Sequence, residues 1–507
     1  MAYSIPLPLK RGLAGPFAIW LIGAVFIALI LVRAPGLTAH ISVGFTFNEM
    51  LLQLLQGKFY LSQSTIGNEA FHYNGHAYAY FGIFCALLRL PLLITGTIRS
   101  TDMTVTSILI ATAVSMAFRV ASAVTVFQMD KAGKLSALAR NIILIAVAFS
   151  GESIQFLRPS VFQEIVSWGA ALAAAFSFLA LRVILGAARK NAATYVAMAA
   201  VAGLALLCRF SFGLGLSAAL GFMLAMDSLQ SLRAGAFAAA LRRAAPAAAV
   251  LAVFVAVVGA INFARWGDPL TFIPLRLQTD ALAAFPDRLP RLERFGEFNL
   301  ARVPFGLQYY FAPIWELQNQ SGALLFQRQQ LQMFDVVEIP PGSLLLSDPV
   351  TCLFALIGIG FVFRRPNLFA EPGLARAVLL GLSIPAVVMV GAIAMTFRYR
   401  MEFYPVLDFA CWLGLAAVVL RDRAVSARST SLLAVVAGVG LLIAGMSRVA
   451  YAASPFGSLT DIDLTHGWSA IYSDKWRGQV DQLGHMMPDG SRLPMKPQLA
   501  NDGPAEF

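Results

Sequence analysis

The sequence predicts an all-α polytopic membrane protein built as a bundle of about 11 transmembrane helices (about 11–13). Of its 507 residues, 58% are hydrophobic and 13% are charged, about half the charged fraction of a typical soluble domain. Apolar runs long enough to cross ~30 Å of hydrocarbon recur along the chain. The loops between them are short and carry Lys and Arg, which is the charge pattern of membrane topology.

The net charge of +11 does not indicate nucleic-acid binding, because the basic residues lie mainly in those short loops. The four cysteines each lie inside an apolar run, which excludes a disulfide framework and a Cys-based zinc site; they are Cys85, Cys208, Cys352 and Cys411.

The first apolar run, 15–34, follows Lys10 and Arg11. Its apolar core is longer than the ~7–15 residues of a signal peptide, and no A-x-A cleavage site follows cleanly. We expect a retained transmembrane helix with a cytoplasmic N-terminus. Ten more spans are predicted at 103–127, 139–157, 164–186, 192–208, 210–227, 244–263, 349–363, 375–396, 403–420 and 430–450.

The apolar run 81–97 is interrupted by Arg89 and Pro91. If it crossed the membrane, the basic loops would not all lie in the cytoplasm, as the positive-inside rule requires. We therefore expect it to lie along or dip into the outer leaflet. The basic residues of those loops are Lys131, Lys134, Arg140, Arg189, Lys190, Arg233, Arg242, Arg243, Arg364, Arg365, Arg421, Arg423 and Arg428.

This topology gives a transmembrane domain over 1–452 with large external regions at 35–102 and 265–348, and an external tail at 453–507. The expected location is the cytoplasmic membrane, with the functional site on the external, periplasmic side. The second external region is too long for a simple connector.

The first external region carries an acid and an aromatic-histidine segment. Glu49 is either a solvated surface residue or a general base that takes a proton from an attacking hydroxyl. The Asn-Gly pair at 74–75 predicts a tight turn. On its two sides His72, Tyr73, His76 and Tyr78 either anchor the segment at the interface or contact a substrate, and two histidines alone make a poor zinc site.

Charged residues elsewhere on the external side have similar alternatives. Arg158 and Glu164 flank the start of a span. Ionisable groups at membrane depth are energetically unfavourable, so they usually pair or have a function. These two residues therefore either neutralise one another or bind a substrate. Asp268 lies in a predicted Gly-Asp-Pro turn and is a second candidate acid.

Two arginines at 398 and 400 lie where positive charge is disfavoured. A lipid phosphate explains them, because a guanidinium binds phosphate through two hydrogen bonds. Arg398 and Glu402 are also four residues apart, so that a helical ion pair is the alternative for Arg398. Arg209, between two apolar runs, is a further phosphate candidate.

These motifs together resemble the GT-C superfamily of integral-membrane glycosyltransferases, which use polyprenyl-phosphate-linked sugars. The resemblance covers about residues 15–420 and rests on the acid of the first external region, followed by YNGHAYAYFG, ALLRLPL, RPSVFQE, RWGDPL and RYRMEFYP. It implies a GT-C fold with juxtamembrane helices in the first external region. It also implies an inverting displacement at the sugar's anomeric carbon, with Glu49 as the base.

Asn48 departs from the family pattern, because many members carry an Asp or an Asp-Glu pair where this chain has Asn48 and Glu49. The Pro-Pro feature of some members is also absent near Phe81. The sequence firmly implies no cofactor, and it leaves open whether a divalent cation takes part. The expected partners are a polyprenyl-phosphate sugar donor, membrane lipids, and a glycan, lipid or protein acceptor; nucleic acid is not expected.

Two other function classes remain open from the sequence. A lipid-linked sugar transporter or flippase needs no base, but such proteins often contain inverted repeats, and none is evident here. A non-catalytic assembly subunit would use the first external region as a docking surface. Transfer of a labelled sugar separates these two classes from a glycosyltransferase.

Overall fold

Long apolar helices make up most of the residues that the computed structural model describes. The described residues are 14–32, 41, 43–188, 190–284, 288–312, 333–334, 342–421, 424–453, 485–486 and 492–493. Within these ranges, nine helices are long and apolar enough to cross a membrane. The shorter apolar helices Ala192–Cys208 and Pro349–Arg364 coincide with the two remaining predicted spans, so that the described residues contain eleven candidate crossings. The predicted all-α membrane fold is confirmed.

The membrane helices follow the predicted apolar runs, with ends that differ by several residues. The run 244–263 belongs to a helix that extends over Phe237–Trp266 and contains Pro246, and the run 139–157 is broken into two helices. In chain order the membrane helices are α1 Ala14–Val32, α6 Thr104–Phe127, α7 Ala137–Ala148 with α8 Gly151–Ile154, α9 Val161–Ile184, α10 Ala192–Cys208, α11 Phe210–Arg233, α12 Phe237–Trp266, α17 Pro349–Arg364, α18 Pro372–Val390, α19 Tyr404–Leu420 and α20 Ala427–Ala453.

The first external region contains short elements packed on the ends of these helices. They are α2 Thr46–Leu54, α3 Gln63–Ile66, a 3₁₀ turn at Gly67–Glu69, strands β1 Phe71–Tyr73 and β2 His76–Tyr78, α4 Phe84–Leu87 and α5 Leu90–Ile94. At 1.5 Å per residue, neither α4 nor α5 can cross a bilayer. The single crossing expected between residues 80 and 128 is therefore α6.

The two strands form an antiparallel hairpin in which Tyr73 pairs with His76. Asn74 and Gly75 both have positive φ, 48° and 76°, as a two-residue hairpin turn of this kind requires. The turn predicted from the Asn-Gly pair is present, and it places His72 and His76 on its two sides.

The second external region contributes α13 Thr279–Ala284, α14 Arg288–Phe295, α15 Val303–Phe311 and α16 Leu344–Ser347, with 3₁₀ turns at Leu275–Leu277 and Leu300–Arg302. Other 3₁₀ segments lie at Pro366–Leu368 and Phe397–Phe403. In the tail, β3 His485–Met486 pairs with β4 Arg492–Leu493. The rest of the predicted external appendage, 454–507, lies outside the described residues.

If successive membrane helices run in opposite directions, the short basic loops lie together at one face. Ion pairs and hydrogen bonds join the helix ends there. Lys134 donates to the Val419 carbonyl at 3.1 Å, joining the α6–α7 loop to the end of α19. Lys190 pairs with Asp227 at 3.6 Å and with Glu371 at 2.5 Å. The long external regions meet one another at the opposite face, where the candidate site lies.

Candidate functional site

Glu49 lies near the start of α2, an amphipathic helix that buries one side against the bundle. Asn48 and Met50, its two neighbours, are buried, and Glu49 itself is half-buried. Its carboxylate accepts hydrogen bonds from the backbone nitrogen of Ser62 at 2.9 Å and from the Ser62 hydroxyl at 2.8 Å. These bonds fix the carboxylate and leave acceptor capacity on both oxygens.

The two external regions meet at Asp280. Its carboxylate lies 3.3 Å from His72 Nε2 and accepts a hydrogen bond from Gln63 Nε2 at 3.0 Å. His72 is about one-third exposed, with 35% of its side chain accessible, so this histidine can contact a ligand as well as Asp280.

Aromatic residues support the hairpin from below. His76 is exposed and stacks on Tyr60 with ring centroids 4.2 Å apart. Tyr78 is buried, with its ring 5.4 Å from that of Trp266. Tyr73 is half-buried, and its hydroxyl lies beside Gly267. Of the four predicted hairpin contacts, His72, Tyr73 and His76 are thus accessible, and Tyr78 belongs to the aromatic support.

Asp268 forms a turn after α12. Gly267 has φ +73° in the left-handed region, and Asp268 accepts hydrogen bonds from Leu270 N at 3.1 Å and Thr271 Oγ1 at 2.6 Å. These bonds lower the pKa of the Asp268 carboxyl, the Thr271 bond most. The side chain is exposed, and the predicted turn is present.

A helical ion pair with Glu402 is one alternative that the sequence gives for Arg398. Glu402 instead pairs with Arg209 Nε, and it accepts a hydrogen bond from the Ser211 hydroxyl at 2.7 Å. The segment Phe397–Phe403 is a 3₁₀ helix, in which residues three apart share a face and residues four apart do not. The position of Arg209, 193 residues away in sequence, could not be read from the local pattern.

Arg398 and Arg400 point to different surroundings. The Arg398 guanidinium lies over the Phe162 ring at 4.5 Å and near Tyr399 at 5.5 Å. Arg400 is fully buried, donates to the Gly342 carbonyl, and lies 3.4 Å from Gln155 Oε1. One phosphate held by both arginines in the same way, as the sequence suggested, does not match these contacts.

Arg158 and Glu164 do not neutralise one another. Glu164 accepts two hydrogen bonds from Arg89, at 2.7 and 2.8 Å, and both side chains are buried. Arg158 lies over the Tyr451 ring at 4.9 Å. In the sequence, Arg89 is visible only as an interruption of an apolar run, because its partner is 75 residues away.

Glu69 is an acid that the sequence pattern did not single out. Burial raises its pKa above 4.5, and the positive charges of Arg398 and Arg288 act against that rise. Tyr80 lies nearby: burial raises its pKa, the charges of Glu69 and Tyr399 add to the rise, and Arg398 and Arg209 oppose it. No local sequence signal marks Glu69, because these neighbours come from four separate segments.

We call Glu69, Tyr80, Arg209, Arg398 and Tyr399 the arginine-tyrosine cluster. Besides the charge interactions of Glu69 and Tyr80, the Arg209 guanidinium lies 5.3 Å from the Tyr399 ring. The cluster joins the first external region, the α10–α11 junction and the segment before α19. It presents two guanidinium groups beside aromatic rings, and a guanidinium can bind a carboxylate or a phosphate through two hydrogen bonds.

No protein-family model and no curated protein matches the chain. Among solved structures, it is similar to the oligosaccharyltransferase of Archaeoglobus fulgidus. Against that enzyme's complex with Zn and sulfate, the TM-score is 0.47 at 14% identity, over 96% of this chain and 58% of that chain. Against the form tethered to an acceptor peptide containing the NVT sequon, it is 0.45 at 13% identity, over 97% and 60%.

A third structure, of the same enzyme with an inhibitory peptide and a dolichol-phosphate, gives a TM-score of 0.43 at 14% identity, over 97% of this chain and 61% of that chain. The present chain thus spans about three-fifths of the length of the chains it matches.

A second charged group lies inside the bundle, away from the external face where the sequence placed the functional charges. Arg119, in the middle of α6, lies 3.3 Å from Glu152 and 3.0 Å from Asp408. These side chains border a small cavity with Tyr404 and Trp412. Ionisable groups inside a membrane are stable when they pair in this way.

The part of the chain that the structure describes contains no group of three or more His, Cys, Asp or Glu side chains able to hold a metal ion. His72 contacts Asp280 and His76 stacks on Tyr60. At the family's acidic pair, Asn48 uses its amide in hydrogen bonds to Ile98, Thr101 and Arg89. These residues do not fit a paired-carboxylate metal site.

Proposed function

We propose that this protein transfers a sugar from a polyprenyl-phosphate donor to an acceptor hydroxyl of a glycan, lipid or protein, at the external face of the cytoplasmic membrane. The observation that carries this function is the arginine-tyrosine cluster. It brings Arg209 and Arg398 together with Glu69 and Tyr80 of the first external region. Cationic groups at the ends of membrane helices suit a lipid-linked anionic donor.

Arg398 and Arg209 hold the donor phosphate. A guanidinium forms charge-assisted hydrogen bonds with phosphate oxygens, and these strengthen as negative charge develops on the leaving phosphate. Glu402 holds the Arg209 side chain in place. Arg400, turned toward Gln155 and Gly342, supports the segment that carries Arg398 and does not bind the same phosphate.

Glu49 is the base. It accepts the proton of the acceptor hydroxyl while the acceptor oxygen forms a bond to the anomeric carbon. The bond between that carbon and the phosphate oxygen breaks on the opposite side, which inverts the configuration and releases polyprenyl phosphate. The two hydrogen bonds from Ser62 hold the carboxylate in one orientation.

Accessible hairpin side chains shape the sugar site. His72, Tyr73 and His76 offer hydrogen bonds to sugar hydroxyls. Asp268 follows Gly267 in the chain, and the Tyr73 hydroxyl lies beside Gly267. Tyr78, Arg158 and Glu164 are buried, and we assign them to the support of this site.

Two single variants, Glu49→Gln and Glu69→Gln, test which acid is the base. Purified full-length protein in membranes is given radiolabelled polyprenyl-phosphate sugar, and loss of label from the lipid fraction is measured. We expect E49Q to abolish transfer, because glutamine cannot accept the proton, and E69Q to retain measurable transfer. Full activity of E49Q, or loss confined to E69Q, would show that Glu49 is not the base.

Arg398→Met and Arg209→Met test the phosphate site in the same assay. We expect both to weaken donor use by about 10–10²-fold, since removing one charge-assisted contact has an effect of this size. Arg242→Met, at the exposed opposite face, is the matched control and should leave transfer unchanged. Equal activity of all three variants would contradict the proposed donor site, and absence of transfer by the wild type with any lipid-linked sugar would contradict the function.

A further inference from the structure

Asn48, Arg89 and Glu164 form a buried polar chain beneath the proposed base. Each side chain is at most 2% exposed. Arg89 donates two hydrogen bonds, from Nη1 and Nη2, to the carboxylate of Glu164 in α9. It also donates its Nε–H to Asn48 Oδ1 at 3.2 Å. The chain therefore connects a membrane helix to α2, the helix that carries Glu49.

The amide of Asn48 uses both its ends. Its oxygen accepts from Arg89, and its nitrogen donates to the carbonyl oxygens of Ile98 at 2.7 Å and Thr101 at 2.8 Å. These carbonyls belong to the turn before α6. Only a side chain with an acceptor on one side and two hydrogens on the other satisfies all three partners.

A carboxylate at this position does not fit. An ionised aspartate could accept from Arg89, but its second oxygen would face the carbonyl oxygens of Ile98 and Thr101 without a hydrogen to donate. The aspartate would also be a second carboxylate beside the Arg89 guanidinium, which already pairs with Glu164. In a buried site, unsatisfied and like-charged groups are strongly unfavourable.

We propose that Asn48 is a positioning residue: with Arg89 and Glu164 it anchors α2 so that Glu49 faces the site, and this anchor requires an amide at position 48. Asn48 and Glu49 are consecutive, so that fixing Asn48 toward the bundle fixes the rotation of α2 about its axis. Glu49 is then directed toward Ser62. The effect on activity rests on the proposed function, whereas the anchoring of α2 does not.

Asn48→Asp in the full chain is the direct test, with Asn191→Asp as the matched control. Asn191 lies at the opposite face and caps α10 by accepting from Thr194 N, a bond that aspartate keeps. Hydrogen exchange of the amides of α2 is measured by mass spectrometry. We expect exchange at least about tenfold faster in N48D than in the wild type and unchanged in N191D. Unchanged exchange in N48D would overturn the proposal.

A double variant separates the need for an amide from a simple count of charges. In N48D/E164Q the guanidinium again has one carboxylate, but the carbonyls of Ile98 and Thr101 still lack a donor. We expect hydrogen exchange in α2 to stay as fast as in N48D, and sugar transfer to stay as low. A return of both to wild-type values would overturn the requirement for an amide. If N48D does not fold, N48S, which retains one donor and one acceptor, should show faster exchange in α2 than the wild type; wild-type exchange there would overturn the anchor.

Kinetics distinguish positioning from general destabilisation. For a displaced base, kcat should fall by on the order of 10²-fold while KM for the lipid donor changes little, because Arg398 and Arg209 are untouched. An unchanged kcat in N48D would contradict the role in catalysis. If the wild type transfers no sugar, the proposed function fails, and the exchange measurement still decides whether the anchor exists.

Discussion

At the residue scale, the environment of each side chain separates residues that look alike in the sequence. Glu49 and Glu69 both lie in the first external region, yet Glu49 accepts two hydrogen bonds from Ser62, and Glu69 is half-buried near the positive charges of Arg398 and Arg288. Desolvation destabilises the ionised form of a carboxyl, and nearby positive charge stabilises it. For Glu69 burial is the larger effect.

Glu69→Gln should change the dependence of stability on pH. Because its pKa is raised above 4.5, the folded chain binds this proton more tightly than the unfolded chain does. The resulting stabilisation is complete below pH 4.5 and is lost as the pH rises through the raised pKa. We therefore expect E69Q to melt above the wild type at neutral pH, with the difference narrowing as the pH falls toward 4.5.

Thermal unfolding in detergent measures this difference, with Glu49→Gln as the contrasting variant. E49Q should melt below the wild type at neutral pH, because Ser62 loses a charged acceptor for two hydrogen bonds. A lower melting temperature for E69Q than for the wild type at neutral pH would mean that its arginine neighbours outweigh burial.

At the element scale, small residues let the membrane helices approach closely. Gly358 of α17 and Gly414 of α19 face one another, and a Cβ added to either would overlap a carbonyl oxygen of the facing helix. Without water to drive association, close packing of this kind holds membrane helices together. Gly360, in the same helix, has no described atom within 4 Å of an added Cβ.

Gly358→Ala and Gly360→Ala form a matched pair in one helix. We expect G358A to destabilise the protein by about 1–3 kcal/mol, the usual effect of overpacking. G360A should be neutral or slightly stabilising, because alanine favours helix over glycine. The difference in thermal unfolding of the purified proteins measures this, and equal effects of the two substitutions would contradict the close contact between α17 and α19.

At the scale of the whole molecule, the crossings divide the charged groups between two faces. The short-loop face contains pairs such as Lys190–Glu371 and Arg243–Asp227, and the other face contains the external regions and the arginine-tyrosine cluster. The positive-inside rule assigns the first face to the cytoplasm. The position of the proposed site outside the cell depends on that assignment.

Lys58→Cys and Lys131→Cys test the orientation with the same substitution on the two faces. Both lysines are exposed, and the four native cysteines are buried and need not be removed. In intact cells, a membrane-impermeant maleimide should label K58C, and it should label K131C only after permeabilisation. Labelling of K131C in intact cells would reverse the topology and place the site in the cytoplasm.

The sequence by itself determined the apolar helices and the hairpin turn, because hydropathy and an Asn-Gly pair act over short stretches of chain. It also marked Glu49, His72 and Arg398 as candidates. Only the tertiary structure decided which charges meet: Arg89 with Glu164, Arg209 with Glu402, and Arg119 with Asp408 are 75, 193 and 289 residues apart. Such pairs form because a charge buried in the bundle must find an opposite charge from whichever helix packs beside it, and local sequence does not record helix packing.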